Sequence, residues 1–204
     1  VFSLEVNQTG GEMTPDAAAL EHMAALEDIR QVKYRYLRCV DLKLWDEIAE
    51  VFTADATADY GTHATRRPLS LHGRDEIVGY LRKSLGPEIT TVHRCGQPEI
   101  KIENNNATGT WSFEDTVIAM AYRVLIKGAA FYEDTYERGA DGQWRISHTG
   151  YRRIYETMCS LDDTPSLRFL DTMWAAPDSL APDAAAADGG RSDSRVPEAD
   201  VAAG

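Results

Sequence analysis

The sequence predicts an α+β fold, with helices first and then a curved, mostly antiparallel sheet whose one face the helices cover. Three observations carry that reading. Apolar residues recur at three- and four-residue steps up to Leu85, the spacing changes to two after Pro87, and hairpin signals stand at Asn104-Asn105-Asn106 and Asp141-Gly142.

Each element follows from its own pattern. Residues 1–14 are polar and Gly-containing, a flexible arm. From Pro15 to about Val40, Leu20, Met23, Ala24, Ile29, Val32, Tyr36 and Val40 form the stripe of a long amphipathic helix. A shorter helix from Leu44 to Phe52 carries Trp45, Ile48, Val51 and Phe52. The Ala-, Thr- and Asp-rich run from Ala54 to Gly61, ending in Tyr60-Gly61, reads as a short strand, and Arg66-Arg67-Pro68 as a loop. A third helix, Asp75 to Leu85, shows one face of Ile77, Val78, Leu81 and Leu85, and Gly86-Pro87 stops it.

After Pro87, strands are expected at about 90–95, 98–103, 107–121, 128–138 and 143–154. One domain is therefore expected over 15–176. Its last piece, Leu167 to Trp174, is apolar enough to dock. From Pro177 onward the chain is Ala, Asp, Gly, Ser and Pro, too poor in large apolar residues to offset ordering entropy, and 177–204 reads as a disordered tail.

Composition narrows the function. The 204 residues, 43% hydrophobic, suffice for a sizeable core. A net charge of -12 with scattered basic residues disfavours nucleic acid and anionic membrane surfaces as partners. Cys39, Cys95 and Cys159 are odd in number and lack a CxxC pair, so they read as reduced thiols of a cytoplasmic protein. His22, His63 and His72 have no ligand spacing, and no GxGxxG or GxxxxGK[ST] loop occurs. Neither a metal nor a cofactor is expected.

The candidate chemistry rests on Asp41, at the end of the first helix, and His93, in the first long strand. A neutral imidazole can take a proton near neutral pH, and a carboxylate on its other nitrogen fixes the tautomer and stabilises the charged product. Tyr36 and Asp41 are five positions apart, about 140° around an ideal helix, so they share a site only if the helix ends near Val40. Asp41 capping the second helix, and His93 as an ordinary strand histidine, are the bland alternatives. A phenol, Tyr36 or Tyr60, can donate to a departing hydroxyl or an enolate oxygen. Asp115 shares strand parity with Trp111 and Phe113, so it points inward among aromatics if they do. Arg152 and Arg153 face opposite sides of the last strand, and parity does not settle which one reaches the interior. Tyr132 and Tyr136 read as core that doubles as site wall.

Several runs resemble the SnoaL-like branch of the nuclear transport factor 2 superfamily. They are Ile29-Arg30-Gln31-Val32-Lys33-Tyr34-Arg35-Tyr36 leading to Asp41, then Trp45 and Phe52-Thr53-Ala54-Asp55-Ala56. Further on come Gly73-Arg74-Asp75-Glu76-Ile77, Thr91-Val92-His93, and Tyr136-Glu137-Arg138 ahead of Asp141-Gly142-Gln143-Trp144-Arg145-Ile146. The likeness spans roughly residues 20 to 155, and within the superfamily the Asp and His positions resemble those of scytalone dehydratase, bile acid 7α-dehydratase and hexachlorocyclohexane dehydrochlorinase. It implies a cone of about three helices packed on the sheet. It also implies a cofactor-independent lyase of the dehydratase kind, with His93 as base and Asp41 as its orienting acid. Tyr36, Asp115 and Arg153 are the accompanying catalytic candidates; Tyr60, Trp111, Phe113, Tyr132 and Arg152 are the substrate-binding ones. The implied substrate is hydrophobic and polycyclic, steroid- or polyketide-like. The implied assembly is a homo-oligomer, a trimer by preference, whose C-terminal segment closes a site. The alternatives are an isomerase of the ketosteroid type with Asp115 as base, and a non-catalytic binding or assembly module.

Overall fold

A computed structural model describes residues 15–62 and 68–174. The arm, the tail beyond Trp174, His63 and the Arg66-Arg67 part of the expected loop lie outside the described residues. Helix α1 runs Pro15–Leu42, α2 Trp45–Ala49 and α3 Arg74–Ser84. The strands are β1 Phe52–Asp59, β2 Ser70–His72, β3 Ile89–Glu103, β4 Asn106–Ala119, β5 Val124–Arg138 and β6 Trp144–Ser160. They form one sheet in the order β2-β1-β6-β5-β4-β3, antiparallel except where β1 runs parallel to β6. The α+β class and the helix-covered sheet are as the sequence predicts.

The differences have local causes. The buried stripe of α1 is Ala25, Ile29, Lys33, Tyr36, Leu37 and Val40, whereas Leu20 and Met23 stay exposed because the first turns of α1 run past the sheet. The helix also continues two residues beyond Val40. It ends at Lys43, which takes a left-handed φ of 55°, with Leu44 N–H donating to Cys39 O at 2.9 Å and Lys43 N–H to Val40 O at 3.2 Å. This is the glycine-type helix stop built with a lysine. The lysine is held by its own Nζ, which donates to the carbonyl of Ile89 at 2.7 Å.

The strands expected at 90–95 and 98–103 are one strand, β3. An irregularity between Gly96 and Glu99, with Gln97 at φ 44°, interrupts its pairing and produces the break that the sequence shows there. The short β2 escaped the sequence reading because three residues are too few for a period. The Asn104 turn joins β3 to β4, with Asn104 at φ 56°, and Gly142, at φ 78°, turns β5 into β6.

Inward alternation along β4 and β5 buries Trp111, Phe113, Asp115 and Val117 against Ala130, Tyr132, Asp134 and Tyr136. This aromatic interior, roofed by α1, carries the polar groups described next.

Candidate functional site

Asp41 sits in the last turn of α1 and reaches onto β3. Its Oδ1 lies 2.6 Å from His93 Nδ1 and accepts the Thr91 hydroxyl at 2.8 Å, while its Oδ2 accepts the His93 backbone N–H at 2.9 Å. A carboxylate that takes donors on both oxygens fixes Nδ1 as the protonated ring nitrogen and leaves the Nε2 lone pair free. Nε2 has no hydrogen-bond partner among the described residues. The imidazole side chain is 1% exposed and that of Asp41 20%, so the acid faces the rim and the base the interior.

Asp115 is the cross-strand neighbour of His93. Its side chain is fully buried, and Arg153 clamps it through Nη1 to Oδ1 and through Nη2 to Oδ2, the latter at 3.0 Å. The guanidinium also lies 4.9 Å from the Tyr151 ring centroid and 5.4 Å from that of Phe113. Gly128, opposite Asp115 on β5, makes this possible. A Cβ there would stand 2.4 Å from Arg153 Nη1 and 2.9 Å from Asp115 Oδ1.

Aromatic rings fill the space around these groups. Phe113 packs on Tyr132 at 4.3 Å between centroids, and His93 lies 6.3 Å from Phe113. The Tyr36 and Tyr60 hydroxyls share a hydrogen bond of 2.9 Å, and Tyr151 OH donates to the Tyr60 carbonyl at 3.0 Å. Burial pushes the Tyr36 phenol up to about 12 and those of Tyr60 and Tyr132 well above 10. All three therefore remain proton donors at neutral pH.

The candidates from the sequence thus fall into groups. His93 and Asp41 touch; Asp115 and Arg153 form the adjoining ion pair; Phe113 packs beside His93 and on Tyr132, Tyr132 packs on Tyr36, and Tyr36 bonds Tyr60. Because α1 does not end at Val40, Tyr36 bonds Tyr60 rather than meeting Asp41. Asp115 points inward beside Phe113, and both its oxygens are held by Arg153. Arg152 must be removed from the interior set: it is exposed on the outer face and pairs with Glu133, Nε to Oε1 at 2.8 Å. Trp111 donates its indole N–H to Tyr136 OH at 3.0 Å, part of a second, deeper cluster rather than of the His93 surroundings.

That second cluster was missed. Lys33 and Asp134, both with fully buried side chains, form an ion pair at 2.8 Å; Asp134 also accepts Tyr136 OH at 2.7 Å and the Thr149 hydroxyl at 2.8 Å. Lys33 Nζ stands 3.2 Å from the Tyr132 ring centroid, and burial lowers its pKa against the opposing pull of Asp134. The signal was present: Lys33 is one turn after Ile29 on the buried stripe, and Asp134 alternates with Tyr132 and Tyr136. Thr91 and Glu156 are further residues whose part only the structure reveals.

A cavity of about 270 Å3 opens elsewhere, beside Lys101, Thr108, Tyr136 and Ser147. Along β4 it is seven residues from the Asp115 row, roughly 24 Å. The Leu167–Trp174 segment leaves Leu167, Leu170 and Met173 exposed, so these side chains do not dock within the chain; Trp174 reaches back, its ring centroid 5.1 Å from Lys43 Nζ.

Three helices on a curved six-stranded sheet, closed around a buried imidazole and its half-buried acid, make an α+β domain with the NTF2-like fold. The chain belongs to the SnoaL-like domain family, whose model matches residues 21–150. An uncharacterized protein of Mycobacterium tuberculosis, Rv2910c, is 28% identical over 134 residues, which is 65% of this chain and 84% of that protein. Among solved structures, a type 2 hexachlorocyclohexane dehydrochlorinase superposes with a TM-score of 0.62 at 19% identity, covering 70% of this chain and 93% of its own. A scytalone dehydratase-like protein of Novosphingobium aromaticivorans gives 0.61 at 19%, covering 68% and 90%. Likeness at such identity establishes the shared fold. No helix of the described residues is long and apolar enough to cross a membrane.

Proposed function

We propose that the protein is a cofactor-independent lyase that removes a proton from carbon with His93 Nε2 and expels water or another leaving group from a hydrophobic, polycyclic small molecule. One observation carries this reading: Asp41 accepts His93 Nδ1 at 2.6 Å while Thr91 and the β3 backbone hold the carboxylate, leaving Nε2 unpartnered on the aromatic side. The dehydrochlorinase and the dehydratase-like protein that share the fold lend support.

In the proposed reaction the C–H electron pair forms the new double bond, the proton passes to Nε2, and the C–O bond breaks toward the leaving oxygen. Asp41 balances the imidazolium, and the protonated phenols of Tyr36 and Tyr60 are the available donors to developing negative charge. Arg153, held flat against Phe113 and Tyr151, completes the polar lining. The rings are closely packed, so substrate entry requires some of them to turn. A ketosteroid-type isomerase with Asp115 as base is disfavoured, because both Asp115 oxygens are committed to Arg153. The outer face of the sheet, with Val92, Phe131 and Tyr155 exposed, offers a surface for the proposed trimer. Sedimentation equilibrium of the full chain giving a monomer mass would refute that assembly.

The test is a panel of cyclic β-hydroxy ketones, followed by the ultraviolet absorbance of the conjugated enone. Turnover by the wild type that vanishes in His93→Gln, with the variant folded, is the expected result. Turnover undiminished in that variant would sink the assignment of the base.

A further inference from the structure

The row of cross-strand neighbours that begins at His93 continues through Asp115 and Gly128 to Glu156 on β6. Arg153 belongs beside this row because β6 bulges between its pairings with Ala129 and Ala130: Arg153 opposes Ala130, Tyr155 opposes Ala129, and Ile154 is the extra residue. The bulge brings Arg153 and Glu156 to the same inner face.

Two buried polar atoms there are left over. Arg153 gives one N–H of Nη1 and one of Nη2 to Asp115, and its Nε lies 3.4 Å from Glu156 Oε2, an ion pair without hydrogen-bond geometry. Both atoms are buried and neither makes a hydrogen bond. The side chain of Arg153 is 7% exposed and that of Glu156 20%. Buried polar atoms are nearly always satisfied, and leaving one unmet is costly. One chemical group satisfies both from a single atom: a hydroxyl, which accepts from Nε–H and donates to Oε2.

We infer that Arg153 Nε and Glu156 Oε2 form a hydroxyl-binding subsite for the small molecule that the inner face takes. It rests on the proposed function only in identifying that molecule as the substrate. Three interstrand steps of about 4.8 Å separate His93 from Glu156, roughly 14 Å between their backbones. A ligand lying over the Asp115–Arg153 pair and reaching both ends has the length of fused rings rather than of one small ring. The hydroxyl bound here is then on a ring remote from the C–H that faces His93. Glu156 thus selects hydroxylated polycyclic ligands over their ketone counterparts, which accept hydrogen bonds but cannot donate to a carboxylate.

The full-length chain is titrated with 1-tetralol and with 1-tetralone, following the Arg153 Nε–H resonance by NMR. Wild type should bind the alcohol about tenfold more tightly, with that resonance moving. Glu156→Leu should reduce the preference to about one. Glu156→Gln, which keeps an acceptor oxygen, should retain part of it and serves if the leucine variant does not fold. His93→Gln should keep the full preference, so failure of the lyase reading leaves this result standing, and the reverse. Equal binding of the two probes by the wild type, binding of neither, or an undiminished preference in a folded Glu156 variant would overturn the subsite.

Discussion

Two acid–base pairs are buried in this interior, and they differ in what is left unused. Around Asp134 both carboxylate oxygens are taken: Lys33 pairs with one as an ion, Tyr136 and Thr149 donate to the carboxylate, and Trp111 in turn donates to Tyr136. Around Asp41 the carboxylate is equally well held, but the imidazole it orients keeps one nitrogen open. A carboxylate whose oxygens are both taken by fixed groups, with no titrating base beside it left open, acts on stability. A network with one free lone pair can move a proton. Burial alone does not separate structural from chemical groups; the unspent valence does.

The contrast is broken most severely by cutting each pair in turn. Asp41→Asn should lower turnover by at least about 100-fold, because an amide cannot hold the imidazole in the same tautomer or balance its charge. Its thermal unfolding midpoint should move far less than that of Asp134→Asn. The latter strands Lys33 as a buried charge, and urea denaturation should show a loss of about 3–5 kcal/mol. A double variant, Lys33→Met with Asp134→Leu, should regain most of that loss, since removing both charges also removes their desolvation cost. If Asp134→Asn instead abolished turnover in a fully stable protein, the division of roles would be wrong.

A smaller effect is expected at Gly128. The alanine Cβ would collide with Arg153 Nη1 at 2.4 Å. A guanidinium is the far end of a flexible side chain and can swing away, so the backbone should survive. The clamp on Asp115 would not, and about 1–3 kcal/mol of stability should go with it. Urea denaturation of Gly128→Ala against Arg153→Ala checks this, because the second substitution should add little to the first.

Smaller again is the titration of Lys43, the residue that ends α1 beside Asp41. Partial burial lowers its pKa to about 8, with Asp41 pulling the other way. The unfolded lysine, with an ordinary pKa of 10.5, holds more protons than the folded one between pH 8 and 10.5. Stability should therefore rise with pH across that window, the burial penalty being fully present below pH 8. Lys43→Met should flatten that rise in denaturation curves taken at several pH values. Smallest of all is Arg152→Ala, an exposed ion pair whose loss should change stability by less than about 1 kcal/mol and leave turnover unchanged.

Much of this molecule could be read from one dimension. Periodicity located the three helices and most of the sheet, and strand parity alone put Asp115 on the same face as Phe113. The limits of reading were equally physical. A bulge hides a continuous strand, as at Gln97, because pairing in register is a property of two strands. Another bulge, at Ser147, shifts parity between Ile146 and the residues after it, and so Arg152 and Arg153 were not distinguishable until β6 lay against β5. Lys33 looked like one more surface charge because nothing local announces a partner 101 positions away.

The sequence by itself determined the fold class and the layering, since local spacing dictates which side chains share a face, and its resemblance to a family singled out Asp41 and His93 as candidates. Tertiary structure decided which nitrogen of His93 is free, which arginine turns inward and which carboxylate is spoken for. Those outcomes depend on hydrogen-bond geometry between segments far apart along the chain, where directions and distances of a few tenths of an ångström decide which atom is partnered and which remains open.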